Sequence, residues 1–426
     1  MSYDTIVVGA GLAGLTAALR LTEQGQRVLV VARGIGATHL APATVDVLGY
    51  LGDQRVVSPS SSVSTLIASS PDHPYRHVGA EQLAAALTWF GTHAGALGYA
   101  GGLEENLLLP TALGVPKPSA LAPRTMSGGD LRAGGRFVFV GFKGFKDFHP
   151  TLIADNLATA RLPAPIAARA LEIELPAGRR GDLSGRVIAG QFDNGNLSEW
   201  LVTTLRNRVE ADERIGVPAV LGLRRADEIW RKLEERLERK VFEVATLPPS
   251  IPGIRLFDAL TDALRAGGAR IVLGVRVVGA RTTGGRIEAV DVAQATGTVS
   301  HPAGAVVLAS GGFASGGLEL DSFGVTRDTV FGLPLIGVPT DRVRFAPGYF
   351  DAQPLASAGL GTDDSLRPVD AHDTPVYTNL YAAGAILGGA VPWKETSGTG
   401  ISIATGYAAA GAIFAPRPQA APEAVR

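Results

Sequence analysis

The segment Gly9-Ala10-Gly11-Leu12-Ala13-Gly14 constrains this chain more than any other. It follows a β-branched run, Thr5-Ile6-Val7-Val8, and opens a stretch with apolar residues at helical spacing, Leu12, Leu15 and Leu19. Gly25 is placed to end that helix as a C-terminal cap, and Val28-Leu29-Val30-Val31 reads as a second buried strand. In such a βαβ unit each glycine has a physical task. The first permits a tight turn, the second lets a pyrophosphate approach the backbone, and the third lets helix and strand pack closely. The phosphate then sits on the helix N-terminus. The plainer reading is a tight turn alone; the flanking strand and helix favour the phosphate.

The end of the second strand departs from the usual pattern. An acidic residue is expected there to hold ribose hydroxyls, and this chain has Ala32-Arg33-Gly34. Arg33 could meet a 2′-phosphate as in NADP enzymes, meet a flavin phosphate, or simply be exposed. The missing acid weakens an NAD reading and leaves FMN as plausible as FAD. Two downstream features favour flavin over nicotinamide. One is Leu308-Ala309-Ser310-Gly311-Gly312, a strand running into a glycine turn. The other is Asn379-Leu380-Tyr381-Ala382-Ala383-Gly384-Ala385-Ile386-Leu387-Gly388-Gly389, followed by Ser397-Gly398-Thr399-Gly400-Ile401 and an Ala-rich helical run. Both are similar to segments of disulfide-reductase-like and fumarate-reductase-like flavoproteins. A helix N-terminus aimed at a reduced, negatively charged flavin would stabilise it by about 0.3–1 kcal/mol. The plainer alternative for each segment alone is a Gly-rich turn in an Ala/Gly-rich chain; their order is the stronger signal.

The expected fold class is α/β. A Rossmann-like FAD/NAD(P)-binding domain is built from both chain ends, residues 1–79 and 251–415, with an inserted α+β substrate or cap domain over 80–250. Residues 416–426, rich in Pro and Ala, read as a disordered tail. Within the insert, 136–142 reads as a strand and 227–244 as one charged amphipathic helix with Glu228/Lys232 and Glu235/Arg239 pairs. The Ser-rich stretch 58–64 reads as a solvated connector.

Composition removes several function classes. A net charge of -1 argues against a nucleic-acid binder. With no cysteine, the chain has no disulfide, thiolate nucleophile or cysteine-ligated iron–sulfur cluster of its own. The uncharged apolar stretches at 380–393 and 401–415 fall short of the roughly 18–20 residues of a membrane span. No basic segment precedes the first strand, so a signal peptide is not expected and the compartment reads as cytoplasmic. The histidines show no ligand spacing, and no metal is assigned.

Several segments together narrow the match: Arg33-Gly34, Ala37-Thr38-His39, Thr44-Val45-Asp46-Val47-Leu48, the run from Gly311 to Leu318, Asp363-Asp364-Ser365-Leu366-Arg367-Pro368 and the run from Asn379 to Gly389. The chain thereby resembles the B subunits of anaerobic glycerol-3-phosphate dehydrogenase, nearly end to end. The resemblance implies a complex that oxidises sn-glycerol 3-phosphate to dihydroxyacetone phosphate and passes electrons to a quinone. It implies a catalytic A subunit with FAD, a membrane-associated iron–sulfur C subunit, and FMN on the B subunit, with FAD as the alternative. The chain would then lie at the inner face of the cell membrane through its partners. The stretch Ala390-Val391-Pro392-Trp393-Lys394-Glu395-Thr396 departs from the glycine-richer version that the resemblance implies.

Candidate cofactor contacts are Gly9, Gly11, Gly14, Arg33, Thr38, His39, Thr44, Gly311, Gly312, Gly384, Gly388, Gly398 and Gly400. For alcohol oxidation, a base near the hydroxyl and a cation on the phosphate are needed. The loop Gly141-Phe142-Lys143-Gly144-Phe145-Lys146-Asp147-Phe148-His149 offers His149 as proton acceptor and Lys143 or Lys146 as anion anchor. The bland alternative is an aromatic-packed loop with surface lysines. Rival functions are a stand-alone fumarate-reductase-like or ketosteroid-dehydrogenase-like flavoenzyme, an NADP-dependent dehydrogenase resting on Arg33, and an electron-transfer or scaffold subunit without substrate chemistry.

Overall fold

The computed structural model describes residues 2–176, 183–195, 197–340, 343–348 and 350–415; the tail expected over 416–426 lies outside them. The chain opens as its sequence requires. Strand β1 (Tyr3–Val8) is buried through its last four residues, helix α1 (Leu12–Glu23) follows, and β2 (Val28–Ala32) is buried throughout. Gly25, at φ +78, turns the chain out of α1, and its amide donates to Thr22 O at 2.9 Å.

The middle of the chain forms a second layer. Strands β3 (Gly135–Phe142), β4 (Ile166–Ile173), β5 (Glu213–Pro218) and β6 (Val241–Val244) make a four-stranded sheet in the order β4-β3-β5-β6, parallel at every pairing. Its core is aromatic: Phe137, Phe139 and Phe242 are fully buried, and Phe242 meets the other two edge-on.

Helix α2 (Ala226–Leu237) precedes β6. The single helix expected over 227–244 therefore ends early. Glu238 takes a left-handed conformation, φ +53, and Val241-Phe242-Glu243-Val244 is buried as a strand. The expected ion pairs also re-sort. Glu228 pairs with Arg225 and Lys232 with Glu199, while Arg239 donates to Glu210 O. The expected connector at 58–64 is the start of a helix, Pro59–Ser69, whose Val63 and Leu66 are buried.

Helix α3 (Ile251–Ala266) returns the chain to the first layer. There β7 (Arg270–Leu273), β8 (Arg276–Thr283), β9 (Arg286–Gln294), β10 (Gly297–Leu308) and β11 (Leu380–Ala382) complete a seven-stranded sheet. Its order is β7-β2-β1-β10-β9-β8, with β11 beside β10. Strand β10 does two jobs. Its first half pairs antiparallel with β9, and its second half lies parallel to β1 (Val7 opposite Val307) and to β11. Both chain ends thus meet in one sheet. Helix α4 (Gly398–Phe414) closes the layer against α1. Gly406 permits this approach, since a Cβ there would lie 2.4 Å from Ala13 O.

Candidate functional site: a cavity at the strand ends

A cavity of about 570 Å³ opens where β1, β2 and β10 end, within the range of small-molecule and cofactor sites. It lies at the carboxyl ends of parallel strands, where open α/β sheets bind ligands.

The glycine turn forms its floor. Gly9 sits at φ +119, and a Cβ there would be 2.1 Å from Ala309 O, so the ends of β1 and β10 can meet only with glycine at this point. Nothing lies within 4 Å of a Cβ placed at Gly11, the position open to the cavity. At Gly14 a Cβ would be 2.1 Å from Gly9 O, so the third glycine seats α1 against the turn. Helix α1 has no side-chain cap and no acidic residue in its first turn. Helix α4, whose first residues also line the cavity, has neither as well. Two helix N-termini without side-chain caps, and so two positive dipole ends, therefore serve one space, although the Gly400 amide of α4 is taken by Asp46 O; the arrangement suits anionic groups.

Two hydroxyls report on what the space holds. Thr38 Oγ1 and Ser310 Oγ are buried without a hydrogen-bond partner, and both residues line the cavity. Each such orphan costs about 1–3 kcal/mol unless a ligand satisfies it. The residues present thus fit a polar cofactor.

The lining differs along its length. On the β2 side it includes Arg33, Val275, Arg276 and Val277. Among the described residues neither arginine makes an ion pair, and an Arg33 guanidinium nitrogen lies 3.4 Å from a Cβ placed at Gly316. On the α4 side it includes Thr44, Asp46, Lys117, Trp393 and Thr399. Here the charges are matched. Lys117 Nζ donates to Asp46 Oδ2 at 2.6 Å and to Thr44 Oγ1 at 2.9 Å, and Ser119 donates to Asp46 Oδ1 at 2.7 Å. The Asp46 amide donates to Thr399 Oγ1 at 2.7 Å, and the Gly400 amide to Asp46 O at 2.9 Å. Behind this end, burial raises the Glu395 carboxyl, but hydrogen bonds from His73, the Val391 amide and Ser397 outweigh it and hold the group below its ordinary pKa.

Of the residues singled out in the sequence, Gly9, Gly11, Arg33, Thr38, Thr44, Gly311 and Gly398 line the cavity. Gly14, Gly312, Gly384, Gly388 and Gly400 lie behind it and serve close packing. A Cβ at these positions would meet Gly9 O, Ala385 O, Ala13 Cβ, Ile336 and Tyr75 Oη respectively, each within 2.9 Å. His39 also stands outside the lining. Its ring is edge-on to Phe257 at 4.9 Å, its Nε2 is buried without a partner, and burial lowers its pKa.

The structure does not bring Lys143, Lys146 and His149 to the cavity. All three are exposed, Lys143 pairs with Glu174 at 2.7 Å, and His149 precedes the helix Pro150–Thr159. The reason is local. Phe142, Phe145 and Phe148 recur every third residue and are buried in the second layer, which turns the polar side chains between them outward. The residues that sequence reasoning missed are Lys117, Ser310 and Arg276. Lys117 carried a signal: it is flanked by prolines in an otherwise uncharged extended stretch, Pro116–Ser119.

Comparison with known proteins agrees with this geometry. The family model described as FAD binding domain matches residues 4–401. A probable B subunit of anaerobic glycerol-3-phosphate dehydrogenase from Halobacterium salinarum is 35% identical over 95% of this chain and 96% of its own. The B subunit of the anaerobic glycerol-3-phosphate dehydrogenase of Pectobacterium atrosepticum is 32% identical, again over 95% of this chain and 96% of its own. That of Vibrio cholerae is 30% identical over 97% of both chains. This chain belongs to the family of anaerobic glycerol-3-phosphate dehydrogenase B subunits, within the proteins built on the FAD-binding domain.

Proposed function

We propose that this chain is the FAD-carrying B subunit of an anaerobic glycerol-3-phosphate dehydrogenase. The observation that carries the reading is a cavity served by two helix N-termini without side-chain caps and by two orphaned hydroxyls. The cofactor preference moves from the expected FMN to FAD. The lining continues past the glycine turn to Arg33, Val275 and Arg276, and FMN, which has no adenosine, would leave that part empty. Bound FAD supplies two-electron redox chemistry. The chain's own residues would hold it: the α1 N-terminus and Gly11 would serve the pyrophosphate, Thr38 and Ser310 would offer hydroxyls, and the α4 N-terminus would favour negative charge on the ring.

In the complex, sn-glycerol 3-phosphate is oxidised to dihydroxyacetone phosphate and electrons pass to a quinone. An A subunit and an iron–sulfur C subunit are the partners in this reading. No helix among the described residues is long and apolar enough to cross a membrane, so attachment at the inner membrane face would come through a partner.

One observation favours a second reading, in which this subunit relays electrons and the alcohol is oxidised elsewhere. Among the described residues the only cation lining the α4 side of the cavity is Lys117, and Asp46 already neutralises it at 2.6 Å. That leaves no free positive side chain there for a phosphate ester. The test is anaerobic addition of sn-glycerol 3-phosphate to the FAD-loaded chain, alone and with its partners. Flavin bleaching in the isolated chain supports substrate chemistry here, and bleaching only with partners supports the relay. No bleaching in an active complex refutes both.

A further inference from the structure

The stretch 390–396, which departs from the glycine-rich pattern in the sequence, presents a tryptophan to the cavity. Trp393 lies in the short helical turn Pro392–Glu395 directly before α4. It lines the cavity and is the only aromatic residue among the described residues that do so, yet the residue is 59% exposed. A large indole left this open forgoes roughly 1 kcal/mol or more of burial.

The turn that holds it is not loose. Glu395 Oε1 accepts from the Val391 amide at 2.7 Å, and Oε2 accepts from Ser397 Oγ at 2.7 Å. His73 Nδ1 accepts the Tyr75 amide at 3.1 Å, so its proton is on Nε2, which donates to Glu395 Oε2 at 3.2 Å. The carbonyl of Glu395 accepts from the Gly49 amide at 2.8 Å. Lys394 Nζ stands 5.2 Å from the Trp393 ring centroid, a contact that steadies an indole. The chain therefore fixes the backbone on both sides of an indole that has little protein to pack on.

We infer that Trp393 is a stacking platform for the flat ring of the bound flavin, with Glu395 as the residue that positions it. The inference rests on the flavin reading above. The chemistry favours this occupant: the indole stands beside the α4 N-terminus, the end of the cavity suited to a reducible ring that gains negative charge. Offset aromatic stacking recognises any flat π-face without hydrogen-bond readout.

The test uses the emission of bound flavin. A stacked indole transfers an electron to the photoexcited ring and takes it back, which quenches emission without net reaction. The full-length chain, Trp393→Phe and Trp393→Ala are each loaded with FAD, and emission per bound flavin is compared. The expected result is several-fold brighter emission in both variants. FAD affinity should fall by about ten-fold in Trp393→Ala, the size of one aromatic stacking contact, and by less in Trp393→Phe, which keeps a ring. Equal emission from bound flavin in all three proteins overturns the inference alone. If the wild-type chain takes up no flavin, the cofactor reading fails and this inference with it.

Discussion

Removing the Arg255 guanidinium should cost this protein a large share of its stability and loosen the cofactor site with it. Arg255 on α3 and Glu243 on β6 form a buried pair, with side chains 7% and 0% exposed. Arg255 Nη1 and Nη2 donate to the two Glu243 oxygens at 2.6 and 2.8 Å, and its Nε donates to Gly222 O at 2.6 Å. In Arg255→Met the carboxylate keeps only the Thr125 hydroxyl at 2.7 Å and the Leu221 amide at 2.9 Å. Breaking one side of such a pair costs about 3–5 kcal/mol, against a typical total of about 5–15 kcal/mol. The same helix carries the cavity wall: the Ser250 amide at its start donates to His39 O at 2.7 Å, and at Gly253 a Cβ would be 2.1 Å from Thr38 O. Flavin retention should therefore drop with stability. Urea unfolding, extrapolated linearly, measures the cost. Burial pushes Glu243 up, but Arg255, together with the Leu221 amide and the Thr125 hydroxyl, outweighs it and holds the carboxyl below its ordinary pKa. Without Arg255, burial dominates, so the penalty should be full at neutral pH and shrink as acid protonates Glu243. The double variant Glu243→Gln, Arg255→Met, which leaves no buried charge, should be more stable than the single. A single-variant cost under about 0.5 kcal/mol, the scale of an ordinary surface change, would refute the reasoning, as would a double variant no better than the single.

Three further outcomes are expected. Gly9→Ala forces a side chain to within 2.1 Å of Ala309 O at φ +119, so flavin content of the purified protein should fall to a small fraction of wild type. Arg33→Glu should weaken FAD binding about ten-fold or more, the scale of a charged hydrogen bond, and reduce its salt dependence in titrations; tighter binding would show that residue 33 meets ribose hydroxyls instead. Burial lowers the pKa of His39, His77 and His301, so below about pH 6.5 the unfolded chain binds more protons than the folded one. Stability should fall as pH drops from there through the folded values, and unfolding midpoints unchanged across that window would contradict it.

What the sequence made legible was what short-range chemistry decides. Gly9, Gly11 and Gly14 could be read because turn, approach and packing are demanded within six residues of one another; the structure shows the tight turn at Gly9, the close packing at Gly14 and open space beside Gly11. The return of the chain near Ser310-Gly311 was legible from a β-branched strand ending in glycine. Other features depend on distant partners. Lys117 reaches Asp46 across 71 positions, and nothing local to either residue announces the pair. The lysines at 143 and 146 looked chemical because they cluster, but the burial of Phe142, Phe145 and Phe148 decides where that loop faces. The 227–244 stretch continued a helical pattern in its charges, while burial of Val241 and Phe242 in the second sheet overrode it at Glu238. Gly384, Gly388 and Gly400, expected as cofactor contacts, stand behind the cavity, where a side chain would collide with Ala13, Ile336 and Tyr75.

The most direct test of the flavin assignment is to purify the full-length chain, load it with flavin from an equimolar mixture of FAD and FMN, remove free flavin, denature it and identify what is released. FAD is expected in near-stoichiometric amount, held along the whole cavity from Arg33 to Trp393. Released FMN, or folded protein that retains no flavin at all, would contradict it.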